Sequence, residues 1–206
     1  MHTDNFLLGA GGHGKVVLDV LLQQGEWPLL LDGDASKAGS ELLGCEVVVL
    51  PESLTTLPRL GHVAIGNNRT RESLSRQLIA AGRELLTVCH QRAVIASSAT
   101  LGGGCFVAAN AVMGPDVEVG DGSIINHGVV VDHDSRVGRF CHLAPNATLG
   151  GEVVMGDYVL LGSGAVVLPG VRIGDAAVIG SGAVVTKDVA AGATVVGMPA
   201  RVVNES

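Results

Sequence analysis

Histidine and acidic side chains meet in one short segment of this 206-residue chain, Val131-Asp132-His133-Asp134. A carboxylate next to an imidazole can fix its tautomer and raise its basicity, as general-base catalysis requires. His133 is therefore the first candidate for a catalytic base, with Asp134 as its carboxylate partner. A purely structural interpretation stays open, because Asp, Asn and His also suit tight turns.

Two more histidines lie nearby in the sequence. His142 directly precedes a large aliphatic residue, so its side chain is expected to point outward, and His127 follows Asn126. The spacing of these two histidines and His133 does not match the ligand patterns of zinc sites. We therefore expect no metal.

A second candidate site is the glycine-rich segment that follows the apolar run Phe6-Leu7-Leu8. Gly9, Gly11 and Gly14 form a G-x-G-x-x-G pattern, and residues 15–24 carry apolar residues at helical spacing. Backbone N–H groups at the start of such a helix bind phosphate. The unit is too short for a full dinucleotide fold, so the pattern favours a mononucleotide or a nucleotide-sugar over NAD. The alternative is a tight strand-to-helix turn without a ligand.

The elements around this segment alternate between strand and helix. Further strands are predicted over 29–31, 45–50, 62–65 and 83–88, with a short helix from Pro51 and a longer one over 68–81. This alternation indicates a parallel sheet of nucleotide-fold topology, which binds ligands at the carboxyl ends of its strands. Asp32 and Gly66 follow two of those strands.

The rest of the chain carries a repeat of six residues. A small residue usually follows each large aliphatic, and a second small or β-branched residue comes four positions after it. Three such hexads make a triangular coil of eighteen residues, and stacked coils bury each other's faces. The sixteen aliphatics of the series are Ile95, Leu101, Val107, Met113, Val119, Ile125, Val131, Val137, Leu143, Leu149, Met155, Leu161, Val167, Ile173, Ile179 and Val185.

Composition supports this architecture and narrows the function. Aromatic residues make up 2% of the chain against 47% hydrophobic residues, which suits a narrow bore filled by aliphatics. The net charge of −7 without a basic run argues against nucleic acid. No apolar stretch is long enough for a membrane span, and the start lacks a signal-peptide pattern. The cysteines are scattered, so we expect reduced, packing cysteines in a cytoplasmic protein.

The whole chain resembles the NeuD/PglD-like sugar acetyltransferases. The resemblance implies a Rossmann-like α/β domain over residues 1–90. It also implies a left-handed parallel β-helix with a C-terminal tail over 91–206, and homotrimers with active sites between subunits. The matching segments are Gly9-Ala10-Gly11-Gly12-His13-Gly14-Lys15, Ala64-Ile65-Gly66-Asn67-Asn68, Asp132-His133-Asp134, Cys141-His142-Leu143-Ala144-Pro145 and Val196-Gly197-Met198-Pro199-Ala200-Arg201.

The resemblance also implies roles for single residues. It makes His133 the catalytic base and Asp134 its acidic neighbour, where some relatives carry the longer Glu. It places Asn126 beside the acceptor sugar. The residues implied to bind the nucleotide are Gly11, Gly12, His13, Asp32, Gly33 and Gly66. Those implied to contact acetyl-CoA are His142, Gly151, Ser163 and Ser181.

The expected reaction is acetyl-CoA-dependent N-acetylation of the 4-amino group of a nucleotide-linked 4-amino-4,6-dideoxyhexose, for surface-glycan or glycoprotein synthesis. A UDP-sugar is expected first, with dTDP- or GDP-sugars as other possibilities. The alternative is O-acetylation of sialic acid or another sugar on the same scaffold. A third class is a non-catalytic sugar-nucleotide binding protein or a carbonic-anhydrase-like protein.

Overall fold

The computed structural model describes residues 4–204. The chain divides into two compact units, one ending at Val88 and the other beginning at Cys89. Neither helix in the described part of the chain has the length and apolar character needed to cross a membrane.

The first unit is a parallel α/β sheet. Its strand order is β3-β4-β2-β1-β5-β6, and only the β3–β4 pair is antiparallel. Strand order reverses at β1, which pairs with both β2 and β5, and ligands of open α/β sheets bind at such a point. The elements are β1 (Asn5–Leu8), α1 (Gly12–Gln23), β2 (Leu29–Asp32), β3 (Glu41–Leu42), β4 (Cys45–Val49), β5 (Leu60–Val63), α2 (Asn68–Ala80) and β6 (Glu84–Leu85).

Three local predictions in this unit need adjustment. Helix α1 begins at Gly12, so the glycine-rich segment itself supplies the first helical turn. After Pro51 the chain forms only one 3-10 turn, Leu54–Thr56. The strand predicted over 83–88 is broken after Leu85, where the carbonyl of Leu86 accepts a hydrogen bond from the buried His62 imidazole at 2.9 Å.

The second unit is a parallel β-helix with three faces. Face I contains β7, β10, β13, β16, β19, β22 and β24, with β25 antiparallel at its end; face II contains β8, β11, β14, β17, β20 and β23; face III contains β9, β12, β15, β18 and β21. The strands are β7 (Val88–Cys89), β8 (Val94–Ile95), β9 (Thr100–Leu101), β10 (Phe106–Val107), β11 (Val112–Met113), β12 (Glu118–Val119), β13 (Ile124–Ile125), β14 (Val130–Val131), β15 (Arg136–Val137), β16 (His142–Leu143), β17 (Thr148–Leu149), β18 (Val154–Met155), β19 (Leu160–Leu161), β20 (Val166–Val167), β21 (Arg172–Ile173), β22 (Val178–Ile179), β23 (Val184–Val185), β24 (Thr194–Val196) and β25 (Arg201–Asn204).

The repeat aliphatics fill the bore, as the period of six predicts. From Val107 to Val185 every member of the series is buried, whereas Ile95 and Leu101 in the first coil are partly buried. From β8 to β20 each two-residue strand pairs with the strand eighteen residues later, as β16 does with β19, whereas β22 pairs with β24 only sixteen residues later. The fold class predicted from the sequence, an α/β unit followed by a parallel β-helix, is confirmed.

From Leu101 to Ile179, the corners between faces depend on the backbone conformation three residues after each aliphatic. At this position the chain is in the left-handed region, which non-glycine residues adopt with difficulty. The glycine directly after the aliphatic has another purpose. A Cβ on Gly138 would lie 2.5 Å from the backbone of Gly156 in the next coil. The left-handed positions are Gly104, Asn110, Asp116, Gly122, Gly128, Asp134, Phe140, Asn146, Glu152, Tyr158, Gly164, Gly170, Ala176 and Gly182.

One column of the bore is polar. Cys105, Ser123 and Cys141 lie eighteen residues apart, are fully buried, and each donate a hydrogen bond to a backbone carbonyl. Ser123 does more, because its hydroxyl also accepts from the N–H of Cys141 at 3.0 Å. Burial raises the pKa of the Cys105 thiol to about 11, so this thiol stays protonated and inert.

Replacing Ser123 with Ala should destabilise the β-helix. The change leaves the buried Cys141 N–H without its acceptor, which costs about 1–3 kcal/mol. Ser97, an exposed serine of the same unit, provides the control, since Ser97→Ala should change stability by less than about 0.5 kcal/mol. Urea unfolding followed by circular dichroism measures both, and equal midpoints for the two variants would contradict the role of Ser123.

Candidate active site

His133 lies on the corner between faces II and III, with about half of its side chain exposed. Its Nδ1 lies 2.8 Å from Oδ2 of Asp134, and its backbone N–H donates to the carboxylate of Asp132. In the neutral imidazole the proton therefore sits on Nδ1, donated to Asp134. This leaves the lone pair of Nε2 as the available base.

The surroundings of His133 favour its protonated form. The hydrogen bond to Asp134 raises the pKa of His133 above its ordinary value and outweighs partial desolvation, which lowers it. The negative charges of Asp132, Asp134 and Glu152 raise the pKa further. The three carboxylates around this exposed imidazole give the corner a negative potential, which attracts cations.

Gly151 lies directly against the His133 ring, one coil later on the same corner. A Cβ at this position would lie 2.6 Å from both Cε1 and Nε2 of His133. Glycine thus keeps the basic edge of the imidazole clear of the neighbouring coil. The resemblance implies Gly151 as an acetyl-CoA contact, which stays a prediction; in the structure this glycine lies against the His133 ring.

The other candidate residues of the β-helix lie on the corner between faces I and II. Nδ2 of Asn126 is 3.3 Å from Nε2 of the half-buried His142 on β16. Oδ1 of Asn126 accepts from the N–H of His127. Ser163 and Ser181 are exposed two and three coils after His127, in the same corner column.

The structure therefore sorts the β-helix candidates into two groups at opposite edges of face II. His133, Asp134 and Gly151 form one group, whereas Asn126, His142 and the two serines form the other. Strands of face II, such as β14 and β17, separate them within the chain.

The crevice of the α/β unit contains glycines of two kinds. Gly9 and Gly14 are required by packing, since a Cβ on Gly14 would lie 1.8 Å from the Gly9 carbonyl oxygen and Gly9 has a φ of +122° beside Ala64. Gly11 and Gly12, in contrast, have no atom within 4 Å of an added Cβ. Gly33 and Gly66 are equally open. These four glycines, all predicted nucleotide contacts, leave space that the chain itself does not fill, next to the N-terminus of α1, and His13 is half-buried in its first turn.

Asp32 anchors the glycine-rich turn to the end of β2. Its Oδ2 accepts from the N–H of Ala10 and from Nζ of Lys37, both at 2.8 Å, and its Oδ1 accepts from the N–H of Asp34. Burial alone raises the pKa of Asp32, but these hydrogen bonds outweigh it and the pKa lies below its usual value. Asp32 is thus an ionised carboxylate that holds the glycine-rich turn in place beside the predicted nucleotide site.

Two residues near these sites were missed from the sequence. Glu152 could have been found, because it lies eighteen residues after Asp134 and the repeat stacks such residues. Lys37 could not, because the 3-10 turn Ala35–Lys37 that carries it shows no periodic pattern. Within residues 4–204 no group of three or more His, Cys, Asp or Glu is arranged to hold a metal ion.

Family comparisons match both units. The model described as PglD N-terminal domain matches residues 6–78, and the model described as bacterial transferase hexapeptide (six repeats) matches residues 98–133 and 152–187.

Known proteins give the same result. PerB from Caulobacter crescentus, solved with CoA and GDP-perosamine, is 38% identical with a TM-score of 0.91, and the match covers 97% of each chain. The acetyltransferase domain of PglB from Neisseria gonorrhoeae is 32% identical with a TM-score of 0.92, covering 98% of this chain and 100% of that one. GDP-perosamine N-acetyltransferase of Escherichia coli O157:H7 is 34% identical over 138 residues, which span 64% of this chain and 62% of the relative.

Replacing Asp134 with Asn should lower the pKa of His133, because the carboxylate that stabilises the imidazolium is lost. Asn tolerates the left-handed backbone at this position, so the corner should keep its shape. NMR titration of the imidazole measures the shift. Asp116→Asn, at the equivalent corner position one coil earlier, is the control and should leave the titration of His133 nearly unchanged. An unaltered titration in Asp134→Asn would refute the assigned cause.

Proposed function

Because this chain belongs to the PglD-like family of hexapeptide-repeat sugar acetyltransferases, we propose that it N-acetylates a nucleotide-linked amino sugar with acetyl-CoA. The acceptor is the 4-amino group of a 4-amino-4,6-dideoxyhexose. The observation that carries the proposal is the imidazole of His133, held by Asp134 with Nε2 clear above Gly151. The open glycine crevice of the α/β unit gives the nucleotide a separate binding place.

The nucleotide that we propose is GDP, ahead of the UDP expected from the sequence. PerB was solved with GDP-perosamine, and the relative from Escherichia coli is a GDP-perosamine N-acetyltransferase. In this chain the diphosphate would lie at the N-terminus of α1, over Gly11 and Gly12, where backbone N–H groups and the helix dipole favour an anion.

The proposed chemistry is direct transfer. The amine nitrogen attacks the thioester carbonyl, and Nε2 of His133 accepts the proton that the nitrogen loses. When the tetrahedral intermediate collapses, the C–S bond breaks and the imidazolium returns the proton to the CoA thiolate. The products are the N-acetyl sugar and free CoA, without a covalent enzyme intermediate. Positioning of the two substrates supplies much of the acceleration.

The charge around His133 supports an amine acceptor over sialic acid. Asp132, Asp134 and Glu152 surround the imidazole with negative charge. Such a field attracts an amino sugar, which is largely an ammonium ion in neutral solution, and repels the carboxylate of sialic acid. The ammonium ion then loses its extra proton to solvent, and the neutral amine attacks.

A second copy of the chain would join the two groups of candidate residues. The outward row of face II is apolar or β-branched along its length, comprising Val94, Val112, Val130, Thr148, Val166 and Val184. Face III instead carries Thr100, Glu118, Arg136, Val154 and Arg172. We propose that face II packs against neighbouring copies in a homotrimer, so that His133 of one chain meets the His142 group of the next.

A thiol-release assay with acetyl-CoA and a panel of acceptors tests the function. We expect turnover with GDP-linked 4-amino sugars, weaker or no turnover with UDP- and dTDP-linked ones, and none with sialic acid. His133→Ala should lower kcat on the order of 10²–10⁴-fold. Arg172→Ala, an exposed position on face III away from both corners, is the control and should retain most of the activity.

The outcomes of this assay separate the alternatives. Turnover of sialic acid without turnover of any amino-sugar nucleotide would replace the proposal with O-acetylation. Full activity of His133→Ala would remove His133 as the base while leaving the substrate class intact.

Placing a charge on face II should break the oligomer. Val166→Arg buries an unpaired cation at the proposed interface, which costs several kcal/mol, whereas Val154→Arg puts the same charge on face III. Light scattering after size-exclusion chromatography should show monomers of Val166→Arg with little activity, and unchanged oligomers of Val154→Arg. Intact oligomers in both variants would argue against face II as the interface.

A further inference from the structure

Arg71 is a buried arginine under the carboxyl edge of the α/β sheet. It lies in the first turns of α2, and only 1% of its surface is exposed. Its Nη1 donates to the carbonyl of Ile65 at 2.8 Å and to that of Gly66 at 3.2 Å, and its Nη2 donates to Oδ1 of Asn68. Burying a cation is costly unless hydrogen bonds compensate it. Here they come largely from the loop between β5 and α2.

These contacts determine where the N–H groups of the loop point. In a trans peptide the C=O and the following N–H point in opposite directions, and the only cis bond in the described chain is Met198–Pro199. The carbonyls of Ile65 and Gly66 point inward to Arg71, so the N–H groups of Gly66 and Asn67 point outward. Across residues 4–204 no hydrogen bond engages these two N–H groups.

The loop lies next to the glycine-rich turn. β5 pairs directly with β1, and Gly9 approaches so closely that its added Cβ would lie 2.7 Å from the carbonyl oxygen of Ala64. Both segments therefore border the crevice where strand order reverses. The outward N–H groups of Gly66 and Asn67 complement those at the start of α1.

We propose that Arg71 is a positioning residue for nucleotide binding, holding the β5–α2 loop so that the N–H groups of Gly66 and Asn67 face the nucleotide. This inference rests on the proposed function. Arg71 itself is too deeply buried to touch the ligand. Its planar fork spans two carbonyls and a side-chain oxygen at once, which the single ammonium of a lysine cannot reproduce.

Arg83 provides a matched control within the same unit. It too donates to backbone carbonyls, those of Leu57 at 2.6 Å and Ala81 at 3.3 Å. Its contacts are at the other end of α2 and hold no residue of the crevice. Arg83 is partly buried, so its variant controls for the loss of an arginine–carbonyl contact in this unit, and a positioning role should raise KM for the sugar nucleotide only in the Arg71 variants.

The test compares Arg71→Lys, Arg71→Met and Arg83→Met in steady-state assays with GDP-perosamine and acetyl-CoA. Misplacing the loop by about 1 Å should raise KM for the sugar nucleotide on the order of 10-fold in Arg71→Lys and up to about 100-fold in Arg71→Met. KM for acetyl-CoA and kcat should change less than about threefold. Calorimetric titration of GDP should show the same ranking, and Arg83→Met should match the parent protein.

Each result has one meaning. An unchanged KM for the sugar nucleotide and unchanged GDP binding in Arg71→Lys would overturn the positioning role, whether or not Arg71→Met folds. Equal losses in the Arg71 and Arg83 variants would also overturn it. Absence of GDP binding and of turnover by the parent protein would instead remove the proposed function on which the inference stands.

Discussion

The β-helix depends on one hydrogen bond repeated from coil to coil. The N–H of Gly102 donates to the carbonyl of Val119, and the N–H of Gly138 to that of Met155, each seventeen residues later and 2.8 Å away. Since the coils up to Val185 are held this way, residues eighteen apart stack there in fixed columns. The columns then decide function: Gly151 lies under His133 because it occupies the same place one coil on. No loop leaves the repeat between these residues to add or remove a group.

The α/β unit obtains its crevice differently. There the constraint is the reversal of strand order at β1, the point at which open α/β sheets form a crevice at the carboxyl ends of their strands. Packing glycines let β1, β5 and α1 approach one another, while open glycines leave the crevice free. A side chain holds each border of the crevice. Asp32 accepts a hydrogen bond from an N–H of the glycine-rich turn, and Arg71 donates to carbonyls of the β5–α2 loop. Because both segments are already held in place, less conformational entropy is lost when a ligand binds.

Much of the fold could be predicted from the sequence because its period is visible in single residues. The inward aliphatics are large and regular, whereas the left-handed corner positions hold side chains as different as Asn110, Phe140 and Glu152. These positions share a positive φ and not a residue type, so amino-acid composition does not identify them. The division of the candidates between two corners was also not predicted, since it depends on which face follows which strand. Arg71 was missed because a charged residue in a helix ordinarily indicates solvent.

The uniform corner spacing has a consequence for how this scaffold tolerates insertions and deletions. Removing one hexad between His133 and Ser163 would keep every aliphatic in the bore and every ladder closed. All downstream residues would nevertheless rotate by a third of a turn, carrying Ser163 to the corner where Asp157 now lies. Only changes of eighteen residues return each side chain to its own edge. Insertions and deletions that preserve function should therefore come in whole coils of eighteen residues. Stability alone would also permit single hexads, which are one third of a coil.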